Sequence, residues 1–179
     1  PAQARAAGEA LGQMHGALAD FAWRRPNTLG PEGWGPLAAR CGDDLDAIAP
    51  GLKGRIDQEL AYLADNWPQD LPCSVIHADL FPDNVLMLGS TVTGLIDFYF
   101  ACTDLAAYDV AVTHAAWCFD AQGGNFSPAI SAALLEGYEA LRPLSTDERV
   151  ALPVLARAAA LRFTMSRAFD WLNTPVDAL

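Results

Sequence analysis

The chain is 179 residues long, 52% hydrophobic and 18% charged, a length that sustains one full hydrophobic core and predicts a single soluble globular domain, residues 1–179. Eleven Lys and Arg against twenty-two Asp and Glu give a net charge of −11, with Lys53 as the one lysine. That balance argues against a nucleic-acid or anionic-membrane partner, but it leaves room for a nucleotide bridged to carboxylates by a divalent metal.

Four cysteines, Cys41, Cys73, Cys102 and Cys118, form no C-x-x-C pair and predict reduced, buried thiols in a cytoplasmic protein. No apolar run is long enough to span a membrane, and the first residues carry neither the basic region nor the apolar stretch of a signal peptide. A chain opening on Pro1 rather than methionine reads as a piece of something longer.

Ala7, Leu11, Met14, Leu18 and Phe21 fall on one face of an opening amphipathic helix that ends before Pro26. Residues 24–36, with three prolines and three glycines, read as an irregular connection. Helices are predicted at about 37–49 and 53–66, the second with Ile56, Leu60, Leu63 and Trp67 on one stripe. Past Pro68 and Pro72 come three short apolar runs, residues 74–76, 85–88 and 94–96, which read as strands with a hairpin turn at Gly89-Ser90. From Leu105 a helix is expected to about Phe119, then a loop through Gly123-Gly124 and a helix from Pro128 to about Ala140. Ser145 and Glu148 then form a capping box for a long last helix, in which Pro153 is tolerated near the start or kinks it. The expected fold class is α+β, mainly α, with a small β-hairpin insert.

That insert carries the chemistry. His77-Ala78-Asp79-Leu80-Phe81-Pro82-Asp83-Asn84 reads H-x-D-x-x-x-x-N, and Asp97 follows thirteen residues after Asn84 in Ile96-Asp97-Phe98. A kinase catalytic loop has its base Asp and metal-holding Asn at this separation. An Asp on a tight loop after a strand can face an incoming hydroxyl, and an Asn at the loop's return can face a metal on the nucleotide. Asp97, at the end of an apolar strand, stands where a second metal-holding carboxylate is wanted, so the three groups are expected to converge at the ends of two adjacent strands.

His77 to Asn84 together with Asp97 resembles the aminoglycoside phosphotransferase and choline kinase superfamily, whose fold is protein-kinase-like. Within it, Val75 to Val85, Gly94 to Cys102, Ala106 to Ala111, Trp117-Cys118-Phe119, Arg162-Phe163 and Arg167 to Asn173 are similar to the homoserine kinases of threonine biosynthesis. The resemblance implies ATP as phosphoryl donor with Mg2+, and the hydroxyl of a small molecule, homoserine, as acceptor. It implies that Asp79 is the base or orienting group, that Asn84 and Asp97 hold magnesium, and that His77 and Asp109 brace the loop from behind. The chain departs from the family at Ala115, where an Asn is frequent. It also shows no glycine-rich loop after a strand and no lysine of V-A-I-K type, since Gly30, Gly33 and Gly35 are interrupted by prolines. It therefore looks like a carboxyl-terminal lobe whose amino-terminal, nucleotide-covering lobe is missing from these residues.

Plainer readings stand beside these. Asp79 alone is also what a turn carboxylate looks like, Asn84 a turn residue, Asp97 a strand-end cap and Asp109 a carboxylate complementing a helix dipole. Asp83 reads as a solvated turn residue, and His15 and His114 as helix histidines satisfied locally. His77 is also compatible with a metal-ligand role in a hydrolase. Arg162 and Arg167 are candidates for a substrate carboxylate, against ordinary pairing with Asp170, Glu148 or other acids. Trp117, Phe119, Phe163 and Trp171 read first as core, and second as a lining for a cationic amine. Alternative functions are a kinase of another amino alcohol or an aminoglycoside, or a non-enzymatic lobe.

Overall fold

A computed structural model describes residues 1–120 and 124–174. Helix α1 (Ala2–Ala17) is followed by α2 (Pro31–Cys41), a single turn α3 (Leu45–Ile48) and α4 (Leu52–Asn66). The β segment is β1 (Cys73–Ile76), β2 (Val85–Leu88), β3 (Thr91–Leu95) and β4 (Cys102–Leu105), and α5 (Ala106–Trp117), α6 (Pro128–Leu141) and α7 (Thr146–Asn173) complete the order. The mainly helical α+β class expected from the sequence holds. The expected loop at Gly123-Gly124 falls partly outside the described residues.

Four boundaries differ from expectation. Helix α1 stops at Ala17, so Phe21 lies beyond it and is exposed. The supposed irregular stretch contains the start of α2, because Pro31 at the first helical position supplies a preset φ and costs no hydrogen bond there, and Trp34 anchors the turn in the core. The helix expected over 37–49 is broken at Gly42, whose φ of 58° no helix accommodates. Strand β4 has no alternating apolar pattern in Cys102-Thr103-Asp104-Leu105; pairing with β1, Ser74 opposite Asp104, makes it a strand. Two separate antiparallel pairs result, β1 with β4 and the hairpin β2 with β3, which carries a bulge at Leu86/Met87.

Helix α5 is the centre of the molecule. Every residue from Ala106 to Thr113 is buried, the signature of a helix apolar on all sides, and α7 packs along it. Helix α7 begins with the Ser145/Glu148 capping box and runs on through Pro153. Against α1, α6 comes unusually close: a Cβ on Gly8 would lie 2.1 Å from the carbonyl oxygen of Leu134, and one on Gly137 2.0 Å from that of Arg5. Cys41, Cys102 and Cys118 are buried free thiols as expected, whereas Cys73, the first residue of β1, is exposed. Burial pushes the thiols of Cys102 and Cys118 up to about 12. No helix of the described residues is long and apolar enough to cross a membrane.

Candidate active site

Residues 77–84 form a loop leaving β1, and its shape is set by a carboxylate behind it. Asp109, fully buried in the first turn of α5, accepts hydrogen bonds from the backbone N–H of His77 at 2.7 Å and of Ala78 at 2.8 Å. Ala78 sits in the left-handed region, φ 63°, a conformation that costs an alanine about 1–2 kcal/mol; the two bonds to Asp109 hold the chain there. The side chain of Asp109 also accepts from Nε2 of His15 at 3.1 Å. Burial disfavours its charge, but the hydrogen bond and the charge interaction with His15, followed by the His77 N–H, outweigh that and hold the carboxyl below its ordinary range.

This contact belongs to a buried chain of polar groups. The Arg142 guanidinium pairs with Glu148 at 2.8 Å and donates to the Tyr138 hydroxyl at 3.0 Å. Burial raises the pKa of that hydroxyl, so it remains a donor, 2.9 Å from Nδ1 of His15. Helices α7, α6, α1 and α5 thereby contribute to one line of bonds that ends on the backbone of Ala78. His15 is satisfied, as read, but its partner is the carboxylate under the loop. The signal was available: a histidine on the face of α1 that carries Ala4, Ala7 and Leu11 must be buried, and a buried imidazole requires polar partners.

On the near side, the amide Nδ2 of Asn84 donates to the carbonyl of Asp79 at 2.8 Å, closing the loop across its ends. Trp117 Nε1 donates to the carbonyl of Leu80. Asp79 and Asp97 do not follow adjacent strands as expected, since β1 and β3 lie in different sheets. Ile96 bridges the two: its N–H donates to the carbonyl of Asn84 at 3.0 Å and its carbonyl accepts from Nε2 of His77 at 2.9 Å. The Phe98 ring lies 4.7 Å from the His77 ring. Asp97, next to this clamp, is exposed and adopts φ 61° and ψ 57°. Asp83 is exposed in the turn Pro82–Asn84, as expected. His114, half-buried, bonds Ser131 Oγ through Nε2, and burial lowers its pKa.

Arg162 is the residue whose place the sequence did not reveal. It is 3% exposed, and its Nη2 lies 3.2 Å from Oδ1 of Asp79, rather than near Asp170 or Glu148. Arg167 is exposed, over the Phe163 ring at 5.4 Å, and no acidic partner for it is found among the described residues. Arg157 is committed elsewhere, paired with Glu59 at 2.7 Å. Beside the loop a groove of about 900 Å³ is walled by Phe81, Phe119, Phe163, Arg167, Trp171 and Asp120, among others. Phe119 and Trp171, expected in the core, are on this surface instead, Trp171 with 71% exposure. Ala115 also lines the groove.

The donor set near the loop's end suits a hard cation. With Nδ2 of Asn84 given to a carbonyl, the amide oxygen is the atom left to a ligand, and Asp97 adds an exposed carboxylate. Among the described residues no cluster of three His, Cys, Asp or Glu side chains forms a cage. One amide and one carboxylate fit Mg2+, which keeps waters and binds partly through phosphate oxygens. The arrangement fits a softer ion poorly, since the nearby imidazole of His77 is buried and bonded to Ile96.

A match to the phosphotransferase enzyme family model spans residues 1–144. The homoserine kinase of Acidiphilium cryptum (strain JF-5) is 55% identical over 172 residues, 96% of this chain and 54% of that protein. The homoserine kinase of Xanthobacter autotrophicus (strain ATCC BAA-1158 / Py2) is 56% identical over 172 residues, 96% of this chain and 53% of that one. The chain thus spans about half the length of the curated relatives it matches. In fold it is similar to an aminoglycoside-3'-phosphotransferase of type VIII, with TM-score 0.67 and 24% identity over 90% of this chain and 61% of that one. It is likewise similar to a choline/ethanolamine kinase family protein from Mesorhizobium loti, with TM-score 0.67 and 19% identity over 99% of this chain and 57% of that one. The family match over residues 1–144, within which lie the loop closed by Asn84 on Asp79 and its clamp through Ile96, shows that this chain belongs to the phosphotransferase enzyme family.

Proposed function

We propose that the protein transfers the γ-phosphoryl group of ATP to the hydroxyl of homoserine, in the cytoplasm, as a step of threonine biosynthesis. The observation that carries the reading is the Asn84 bond to the Asp79 carbonyl, which joins a group suited to a hydroxyl and a group suited to a metal in one closed loop. The identity of more than half with homoserine kinases over most of the chain supports the choice of acceptor.

In this reading Asp79 receives or orients the acceptor's hydroxyl proton. Arg162 fixes one carboxylate oxygen, Oδ1, so that the other faces the hydroxyl. Asn84 Oδ1 and Asp97 would hold Mg2+, which when bound would offset the charge of the phosphates. His77 and Asp109 keep the loop in the shape that brings these groups together. No glycine-rich loop after a strand and no strand lysine can be found in residues 1–179, so the cover over the phosphates is proposed to come from outside them, and this chain alone is expected not to phosphorylate homoserine. The test is Asp79→Asn in the protein at the full length of its relatives, assayed with ATP, Mg2+ and L-homoserine. Turnover is expected to fall about 10²–10⁴-fold; phosphorylation surviving within a few-fold overturns the assignment.

A further inference from the structure

The two arginines of the last helix are not equivalent, and the difference says where an acceptor lies. Arg162 is buried, with its Nη2 on Asp79. Arg167, just over one turn further on, is exposed beside the groove. Both guanidinium groups approach the same ring: Phe163 lies 4.8 Å from Arg162 and 5.4 Å from Arg167. Phe163 in turn meets Phe81 of the catalytic loop edge-on at 5.2 Å. The groove is therefore continuous with the Asp79 loop through Phe81 and Phe163. Among the described residues its walls carry one guanidinium, Arg167, and one carboxylate, Asp120, whose oxygens accept from the Gly124 N–H and from Asn125 Nδ2, set among aromatic and small apolar side chains.

A mostly apolar groove with one exposed guanidinium and exposed aromatic faces is complementary to a zwitterion. We propose that it is an α-amino acid subsite in which Arg167 takes the acceptor's carboxylate, while the aromatic faces of Phe119 and Trp171 meet its ammonium group. This rests on the reading that Asp79 receives the hydroxyl. The planar guanidinium fork matches a carboxylate in two-point geometry, and the exposed aromatic faces suit a cation. Length then becomes a selection device. Extended, a four-carbon hydroxy amino acid places its hydroxyl about 6 Å from its carboxylate, whereas serine is one carbon shorter. Arg162, committed to Asp79, is excluded as the carboxylate's anchor.

The test is calorimetric titration of the chain with L-homoserine, L-serine and 2-amino-1,4-butanediol, which replaces the carboxylate by a hydroxymethyl group. The indole NMR signal of Trp171 serves as locator. The parent is expected to bind homoserine about 10- to 100-fold more tightly than the diol, with the Trp171 signal shifting. Arg167→Gln, at an exposed position, should abolish that preference, and Arg167→Lys should restore part of it. Equal homoserine affinity in parent and Arg167→Gln, or an equal loss for the diol, overturns the subsite. So does a parent that binds no carboxylate-bearing ligand. A parent that prefers serine, with the preference lost in Arg167→Gln, keeps the subsite and overturns homoserine as the acceptor.

Discussion

The two sides of the His77–Asn84 loop are built on opposite terms. Behind it, four helices supply a buried chain from Glu148 through Arg142, Tyr138 and His15 to Asp109, each link within 3.1 Å of the next. In front of it, Asp97 is exposed and the hairpin β2–β3 presents Leu86 and Leu88 to solvent, with Ile96 and Phe98 exposed nearby. The rear fixes a strained backbone; the front leaves its polar groups open to a ligand. Substitutions behind the loop should therefore cost stability, and those in front should cost binding alone.

The largest separation is expected between Asp109→Ala and Asp97→Ala. Losing the Asp109 carboxylate strips the buried N–H groups of His77 and Ala78 and the His15 ring of their acceptor, so unfolding titrations should show a loss of about 3–5 kcal/mol. The same group gives the acid limb its sign. Its folded pKa is depressed below 3.8, so its contribution is complete above that value and is lost as pH falls through the depressed one. Asp97→Ala should cost at most about 1 kcal/mol of stability, because the left-handed backbone at φ 61° suits Asp somewhat better than alanine. In the protein at the full length of its relatives it should weaken ATP binding only when Mg2+ is present, as a magnesium titration reads directly. Equal destabilisation by both substitutions would erase the distinction between rear and front.

Next in size is the approach of α1 to α6, which sets where His15 meets Tyr138. Gly137→Ala would place a methyl 2.0 Å from the Arg5 carbonyl oxygen, which is backbone and cannot swing aside. A loss of about 1–3 kcal/mol in chemical denaturation is expected; a neutral result would mean that the helices separate freely and that the chain of bonds between them is not rigid.

What the sequence made legible divides along the same line. The hairpin turn at Gly89-Ser90 and the Ser145/Glu148 cap are local, with spacing set by neighbours a few residues apart, and the structure has both as expected. What escaped was long-range. Arg162 meets Asp79 across 83 positions and His15 meets Asp109 across 94, and no periodicity within one element encodes such a meeting. Strand β4 was missed for the same reason: its pairing with β1, not its own composition, makes it a strand. Residue type alone places Phe119 and Trp171 first in the core and only second in a pocket lining, and the structure has them in a groove wall.

A smaller effect tests the helical body away from the loop. Burial lowers the pKa of His114 below 6.5, so between that value and the lowered one the unfolded chain binds more protons than the folded. Stability therefore rises with pH across this window and is lost as pH falls below about 6.5. His114→Asn should flatten that part of the thermal stability profile; an unchanged slope would assign it to another group.

The smallest expected effect on stability lies on the front hairpin, and it is the clearest test of what that face is for. Leu88 is 78% exposed at the end of β2, and Leu86 on the same strand is exposed too. Apolar side chains gathered on one face of a small sheet are costly to leave in water and mark a surface that another body covers. The second lobe proposed above would be such a body. Leu88→Gln removes apolar surface without altering the net charge of −11, so a change in association reports the apolar contact rather than charge repulsion. Unfolding free energy should stay within about 0.5 kcal/mol of the parent, because little buried surface is lost. In sedimentation experiments the parent chain should self-associate with rising concentration, and Leu88→Gln should do so measurably less. A parent that stays monomeric throughout would show that the front face is stable in water as it stands, and the contrast between a closed rear and an uncovered front would then rest on the polar groups alone.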